Sequence, residues 1–133
     1  MSEGQPIRDF RDLRVWRSAK DLVVAVYRLT QPFPKHEIYG LTSQMQRAAV
    51  SVPSNIAEGH AREHLKEYLN QVSIARGSLA ELQTQIEIAA RLGYIDEDQR
   101  QPTMEHALAL GRQLSALRNA LNKSSKEAPN PGP

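Results

Sequence analysis

The chain contains no cysteine. Disulfides, thiolate zinc sites and cysteine nucleophiles are therefore excluded. Aromatic residues make up only 5% of the 133 residues, while Leu and Ala are abundant, a balance that favours helix over sheet. Long apolar runs are missing too. The longest, Leu22 to Tyr27, is far short of the roughly 20 residues a membrane-spanning helix needs. The polar stretch Met1 to Asp9 has no signal-peptide core, so no membrane association is expected and a cytoplasmic location is the default. There is no Gly-rich phosphate loop.

Net charge is only +2, too small to point to nucleic acid by itself. Its distribution is more telling. Residues 1–35 carry seven Lys/Arg against four Asp/Glu, residues 36–61 sum to −1, and residues 62–133 sum to zero. The basic excess therefore lies in the N-terminal arm and the first helix.

The length suits one domain with a real core. Residues 1–9 read as a loose leader, 10–123 as the folded domain, and the proline-rich stretch 124–133 as a disordered tail. Four segments in the domain show helical periodicity. The first runs from about Leu13 to Thr30, with stripe Val15, Ala19, Leu22, Val26, Leu29, and Asp12 as expected N-cap. The second runs from about Lys35 to Gly59, with stripe Ile38, Leu41, Met45, Ala48, Val52, Ile56. Pro53 should kink it, or break it in two, and Gly59 should end it. The third, about Glu63 to Leu92, repeats through Leu65, Tyr68, Val72, Ala75, Leu79, Leu82, Ile86 and Ala89, with Gly93 as C-cap. The fourth runs from about Asp96 to Lys123 on Ala107, Leu110, Leu114, Leu117 and Leu121. Asp96 and Gln99 resemble a capping box, and Pro102 suggests a short first turn with a restart near Thr103. The links are short, so the expected fold is all-α, an antiparallel up-down-up-down four-helix bundle.

Two stretches go beyond generic periodicity. They are Leu41-Thr-Ser-Gln-Met-Gln-Arg-Ala-Ala-Val-Ser-Val-Pro-Ser-Asn-Ile-Ala-Glu-Gly59 and Ala75-Arg-Gly-Ser-Leu-Ala-Glu-Leu-Gln-Thr-Gln85. With Phe10-Arg-Asp-Leu-Arg-Val-Trp16, they resemble the bacterial four-helix-bundle family that includes proteins encoded in intervening sequences of 23S ribosomal RNA genes. The pattern is also similar to the accessory variability protein of diversity-generating retroelements. The resemblance implies a homopentamer without enzymatic activity or cofactor, and for the retroelement relative a basic surface that engages nucleic acid, RNA or DNA, and a reverse transcriptase. Two places depart from the family pattern. His60-Ala61-Arg62 replaces an aromatic and a Gly-Arg pair, and Tyr68-Leu69-Asn70-Gln71 replaces a more basic run.

Several residues stand out as candidates for a site. Arg47, Ser51, Asn55 and Glu58 form a polar stripe beside the apolar one. It reads either as a binding groove or, preferably, as a hydrogen-bond network that fixes register or assembly. Arg76, Gly77 and Glu81 lie in the middle of the third helix. Gly77 costs about 1 kcal/mol relative to Ala there, which close approach beside Ala48 and Ala49 would offset, with Glu81 reaching Arg47 as a salt bridge. Arg8, Arg11, Arg14, Arg17 and Lys20 recur every third residue. In one copy they form a solvated face; repeated around a ring they would form a basic collar for phosphate backbones. His60 and His64 have zinc-compatible spacing but straddle a turn and have no third ligand. No Glu precedes any histidine by three residues, so the di-iron bundle motif is absent. No serine has a nameable base and orienter. The chain therefore reads as a non-catalytic self-associating bundle that binds nucleic acid or serves as a scaffold for a protein partner.

Overall fold

A computed structural model describes residues 6–127. Four α-helices carry the fold: α1 (Arg14–Thr30), α2 (Leu41–Ala61), α3 (Leu65–Arg91) and α4 (Glu97–Glu127), with short 3-10 turns at Phe10–Asp12 and Lys35–Glu37. Each helix packs on its sequence neighbours, and α1 also packs on α4, with no diagonal contacts among the described residues. That square of antiparallel neighbours is the up-down-up-down bundle. Within the expected leader, 6–8 carry no regular structure and 1–5 lie outside the described residues. Of the expected tail, 124–127 continue α4 and 128–133 lie outside.

The apolar stripes read from the sequence form the core. Val15, Ala19, Leu22, Val26 and Leu29 of α1 are buried against Met45, Ala48, Val52 and Ile56 of α2 and against the α3 and α4 stripes. Leu22, Met45, Ile56, Leu82, Ile86, Leu110 and Leu114 are fully enclosed. Each such side chain contributes about 1.5–3 kcal/mol of burial free energy, which holds four helices of modest intrinsic stability together.

The helix ends differ from expectation in instructive ways. Asp12 does not cap α1. Asp9 caps the preceding 3-10 turn, and the Asp12 carboxylate accepts from the Arg8 backbone N–H at 2.7 Å and the Asp9 N–H at 3.4 Å. Those bonds, Arg8 first, hold the Asp12 pKa below its usual range. The second helix starts at Leu41, because Gly40 adopts a non-helical conformation (φ −111°, ψ −118°). Ile38, expected in the core stripe, is consequently exposed. Proline breaks neither helix that contains it. α2 is continuous through Pro53 and reaches Ala61, past Gly59, and α4 is continuous through Pro102 with no restart at Thr103. Proline costs α4 the bond to the Asp98 carbonyl, but Asp98 is exposed near the helix start, where water can serve that carbonyl. The expected capping box at α4 is formed: Gln99 N–H donates to Asp96 Oδ1 and Asp96 N–H to Gln99 Oε1, both at 2.9 Å.

At the far end of the bundle, Gly93 (φ +80°) closes α3. Its N–H donates to Ala90 O and that of Tyr94 to Ala89 O, the Schellman arrangement that only a residue tolerant of positive φ makes without strain. The turn folds Tyr94 back onto Phe33, with ring centroids 5.2 Å apart. The Tyr94 hydroxyl donates to Glu37 Oε2 at 2.8 Å, while Glu37 Oε1 accepts from the Leu41 N–H at 3.1 Å. One carboxylate thus caps α2 and ties it to the α3–α4 turn. The bond from the Leu41 N–H, then that from Tyr94, lowers the Glu37 pKa. A lowered carboxylate contributes stability above its unfolded pKa of about 4.3 and loses it as pH falls through the folded value. Glu37→Gln is expected to lower the melting temperature near neutral pH, with the deficit shrinking as the medium is acidified towards about pH 3, measured by circular dichroism.

The close approach assigned to Gly77 occurs elsewhere. A Cβ on Gly77 would meet nothing within 4 Å, whereas one on Gly59 would lie 2.8 Å from Gln71 Cβ and 2.9 Å from Tyr68 Cδ1. Gly59 is buried inside α2 and lets α3 pass against its backbone. Gly59→Ala should therefore lower stability in spite of its better helix propensity. Gly77→Ala should raise it by about 1 kcal/mol. Urea unfolding at low protein concentration checks both signs.

Candidate functional site

The polar residues read from the sequence divide into three places. The central one is the seam between α2 and α3. Ser51 Oγ and Ser78 Oγ share a hydrogen bond at 2.8 Å across the helices. Asn55 Nδ2 donates back to Ser51 Oγ at 2.9 Å and to the Ser51 carbonyl at 2.7 Å. An open groove of about 370 Å³ lies beside this pair, lined by Gln44, Arg47, Ala48, Ser51, Ser78 and Glu81. Arg47 and Glu81 therefore belong to one feature, but the expected salt bridge between them is not formed. Glu81 Oε1 instead accepts from Gln85 Nε2 at 3.2 Å, and no ion pair joins it to Arg47 among the described residues.

The remaining members of the polar set are not brought together. Glu58 turns to the α2–α3 corner and pairs with Arg62 at 2.9 Å. Arg76 does not line the groove, and Gly77 faces open space. Gln44 lines the groove and was outside the expected set; Gln85, next to Glu81 through its Nε2, is buried and its Oε1 has no partner. The signal for Gln85 is present in the sequence as spacing: Ser78, Glu81 and Gln85 fall on one face of α3.

The N-terminal cations are partly neutralised within the chain. Arg11 Nη1 pairs with Asp9 Oδ2 at 3.0 Å, and Arg8 Nε lies 3.9 Å from Asp12 Oδ2. Lys20 Nζ sits over the Trp16 ring, 5.4 Å from its centroid. Arg14 and Arg17 belong to α1 with Lys20, while Arg8 and Arg11 precede it, so the five do not form one face.

Two histidine arrangements bear on chemistry. His60 is in the last turn of α2 and packs edge-on against Tyr68, whereas His64 is the extended N-cap of α3. They do not share a helix. No group of three or more His, Asp or Glu that could hold a metal occurs among the described residues. His106, which sequence reasoning passed over, places Nε2 3.0 Å from the Ser18 carbonyl and 3.2 Å from the Ser18 hydroxyl. A carbonyl only accepts, so Nε2 carries the proton and is no base for Ser18. The contact fastens α4 to α1. No helix among the described residues is long and apolar enough to cross a membrane.

The Ser51–Ser78–Asn55 cluster is cooperative in geometry, since Ser51 Oγ serves both partners. Ser51→Ala and Ser78→Ala should each cost about 1 kcal/mol, and the double variant less than the sum. A thermodynamic cycle from urea unfolding checks the coupling.

The family model described as 23S rRNA-intervening sequence protein matches residues 11–116. The chain belongs to this family. No curated protein matches it. A solved structure with a similar fold is a protein of unknown function from the S23 ribosomal protein family of Bacteroides thetaiotaomicron VPI-5482. It has a TM-score of 0.71 and 18% sequence identity, over 78% of this chain and 97% of that one.

Proposed function

We propose that this chain acts by binding rather than by catalysis, as a cytoplasmic homo-oligomer, a pentamer, whose repeated basic helices attract nucleic acid. The observation that carries self-association is an outward apolar strip on α1 and α2. Val24, Tyr27 and Val50 are exposed there, beside a groove of about 280 Å³ lined by Trp16, Lys20, Val23, Val50, Pro53, Ser54 and Ala57. A surface of this kind, apolar and rimmed by polar groups, suits burial against another subunit. Arg17 and Lys20 flank the same strip, so a ring built on it would repeat them around its circumference and raise the local positive potential.

A second reading is a protein-interaction scaffold that binds no nucleic acid. The internal pairing of Arg8 with Asp12 and of Arg11 with Asp9 favours it, because those cations bring less net charge to a phosphate backbone. A gel-shift titration with structured RNA across salt separates the two. Nucleic-acid binding requires a shift at low salt whose affinity falls linearly in log–log terms as salt rises. Absence of any shift leaves the scaffold. Light scattering on Tyr27→Glu tests the assembly: the variant is expected to fall to a smaller mass than the wild-type chain, with its helix content unchanged.

A further inference from the structure

The α2–α3 groove holds a cation and an anion that the chain does not use on each other. Arg47 and Glu81 line it together with Gln44, Ala48, Ser51 and Ser78. Both charged side chains are exposed. Among the described residues neither belongs to an ion pair. Glu81 has one local tie instead. Its Oε1 accepts from Nε2 of Gln85 at 3.2 Å, and Gln85 is only 5% exposed. A buried amide thus anchors the carboxylate on α3 and leaves its second oxygen open to a donor.

The two serines add a donor to the same groove. They carry two hydroxyl protons between them, and their mutual bond uses one. Ser51 Oγ also accepts from Asn55 Nδ2 at 2.9 Å. Whichever serine donates to the other, one hydroxyl proton is left with no acceptor among the described residues. The groove therefore presents a guanidinium and a hydroxyl donor for an anionic group, and a carboxylate for a cationic one.

This combination selects among ligands by charge. A simple anion drawn to Arg47 is repelled by Glu81, and a simple cation drawn to Glu81 is repelled by Arg47. An apolar molecule finds only Ala48 among the lining residues. A molecule that carries both charges gains from both walls. Arginine's fork of donors matches a carboxylate, and an ammonium matches Glu81. We propose that the groove binds a small zwitterion of the amino-acid type, its carboxylate on Arg47 and its ammonium on Glu81. The volume, about 370 Å³, lies at the lower end of the range of about 300–1,000 Å³ typical of small-molecule sites. The site is on α2 and α3, apart from the α1–α2 strip, so it stands whether or not the chain assembles or meets nucleic acid.

Amide NMR on the full chain tests it. The probes are zwitterions of growing charge separation: L-alanine, β-alanine, γ-aminobutyrate and ε-aminocaproate. At least one is expected to shift the Arg47, Ser51, Ser78 and Glu81 amides saturably in the millimolar range. The best of them reports the separation of the two charges. Its amide lacks the carboxylate and its N-acetyl form lacks the ammonium, so each should bind about tenfold more weakly for the loss of one charge-assisted contact. Arg47→Gln should abolish the preference for the zwitterion over its amide, and Glu81→Gln the preference over its N-acetyl form. A residue that only supported the fold would not move those ratios. Both side chains are exposed, and circular dichroism checks that each variant keeps its helix content. Absence of saturable shifts with every probe overturns the proposal. So does equal binding of a zwitterion and its two single-charge derivatives, or a preference that survives both substitutions.

Discussion

Close approach of α2 and α3 at Gly59 is the constraint on which the rest depends. A Cβ there would lie 2.8 Å from Gln71 Cβ, inside any tolerable contact, so only glycine lets the two helices meet at that depth. This proximity near the α2–α3 corner orients the full length of both helices and brings Ser51 within 2.8 Å of Ser78 further along. The corner itself is short, from Ala61 to Leu65, and leaves the pair little freedom to slide. Everything displayed on this face, including Arg47 and Glu81, inherits its level from that geometry.

Polar atoms at such a seam cost more than apolar ones unless they find partners. Ser51, Ser78 and Asn55 satisfy one another, and the groove beside them stays open. The rest of the bundle follows simpler rules. Apolar stripes meet in the centre, while the ends are closed by local devices: the Asp96–Gln99 box, the Gly93 turn and the Glu37 carboxylate. Glu37 has the widest role among these, because one side chain serves the start of α2 and the turn after α3. His106 has a comparable role between α4 and α1. Stability and display are thus handled by different residues, which leaves the outward faces free for partners.

Much of the fold was legible in the sequence because its determinants are local. Three-four spacing of apolar residues identified the buried faces of all four helices, and Ile38 failed only because Gly40 interrupts the helix that would have carried it inwards. Pro102, expected to force a restart near Thr103, misled for the opposite reason. The proline rule is local, but its cost depends on whether water or a neighbour serves the orphaned carbonyl. Of the site, the polar stripe on α2 was visible as a stripe, and Ser78 and Glu81 as a motif. That Glu58 leaves the set for Arg62, and that Arg11 is drawn to Asp9, depends on which turns form.

By itself the sequence determined the number of helices, their core faces, two of their caps and, through its paired motifs, the family. These rest on interactions spanning three to seven residues, which periodicity and residue type record directly. The tertiary structure alone decided which glycine lies between two backbones and that Arg47 and Glu81 share a groove without pairing. Those facts depend on the relative depth and shift of two packed helices, which side chains from both fix together and neither helix specifies alone.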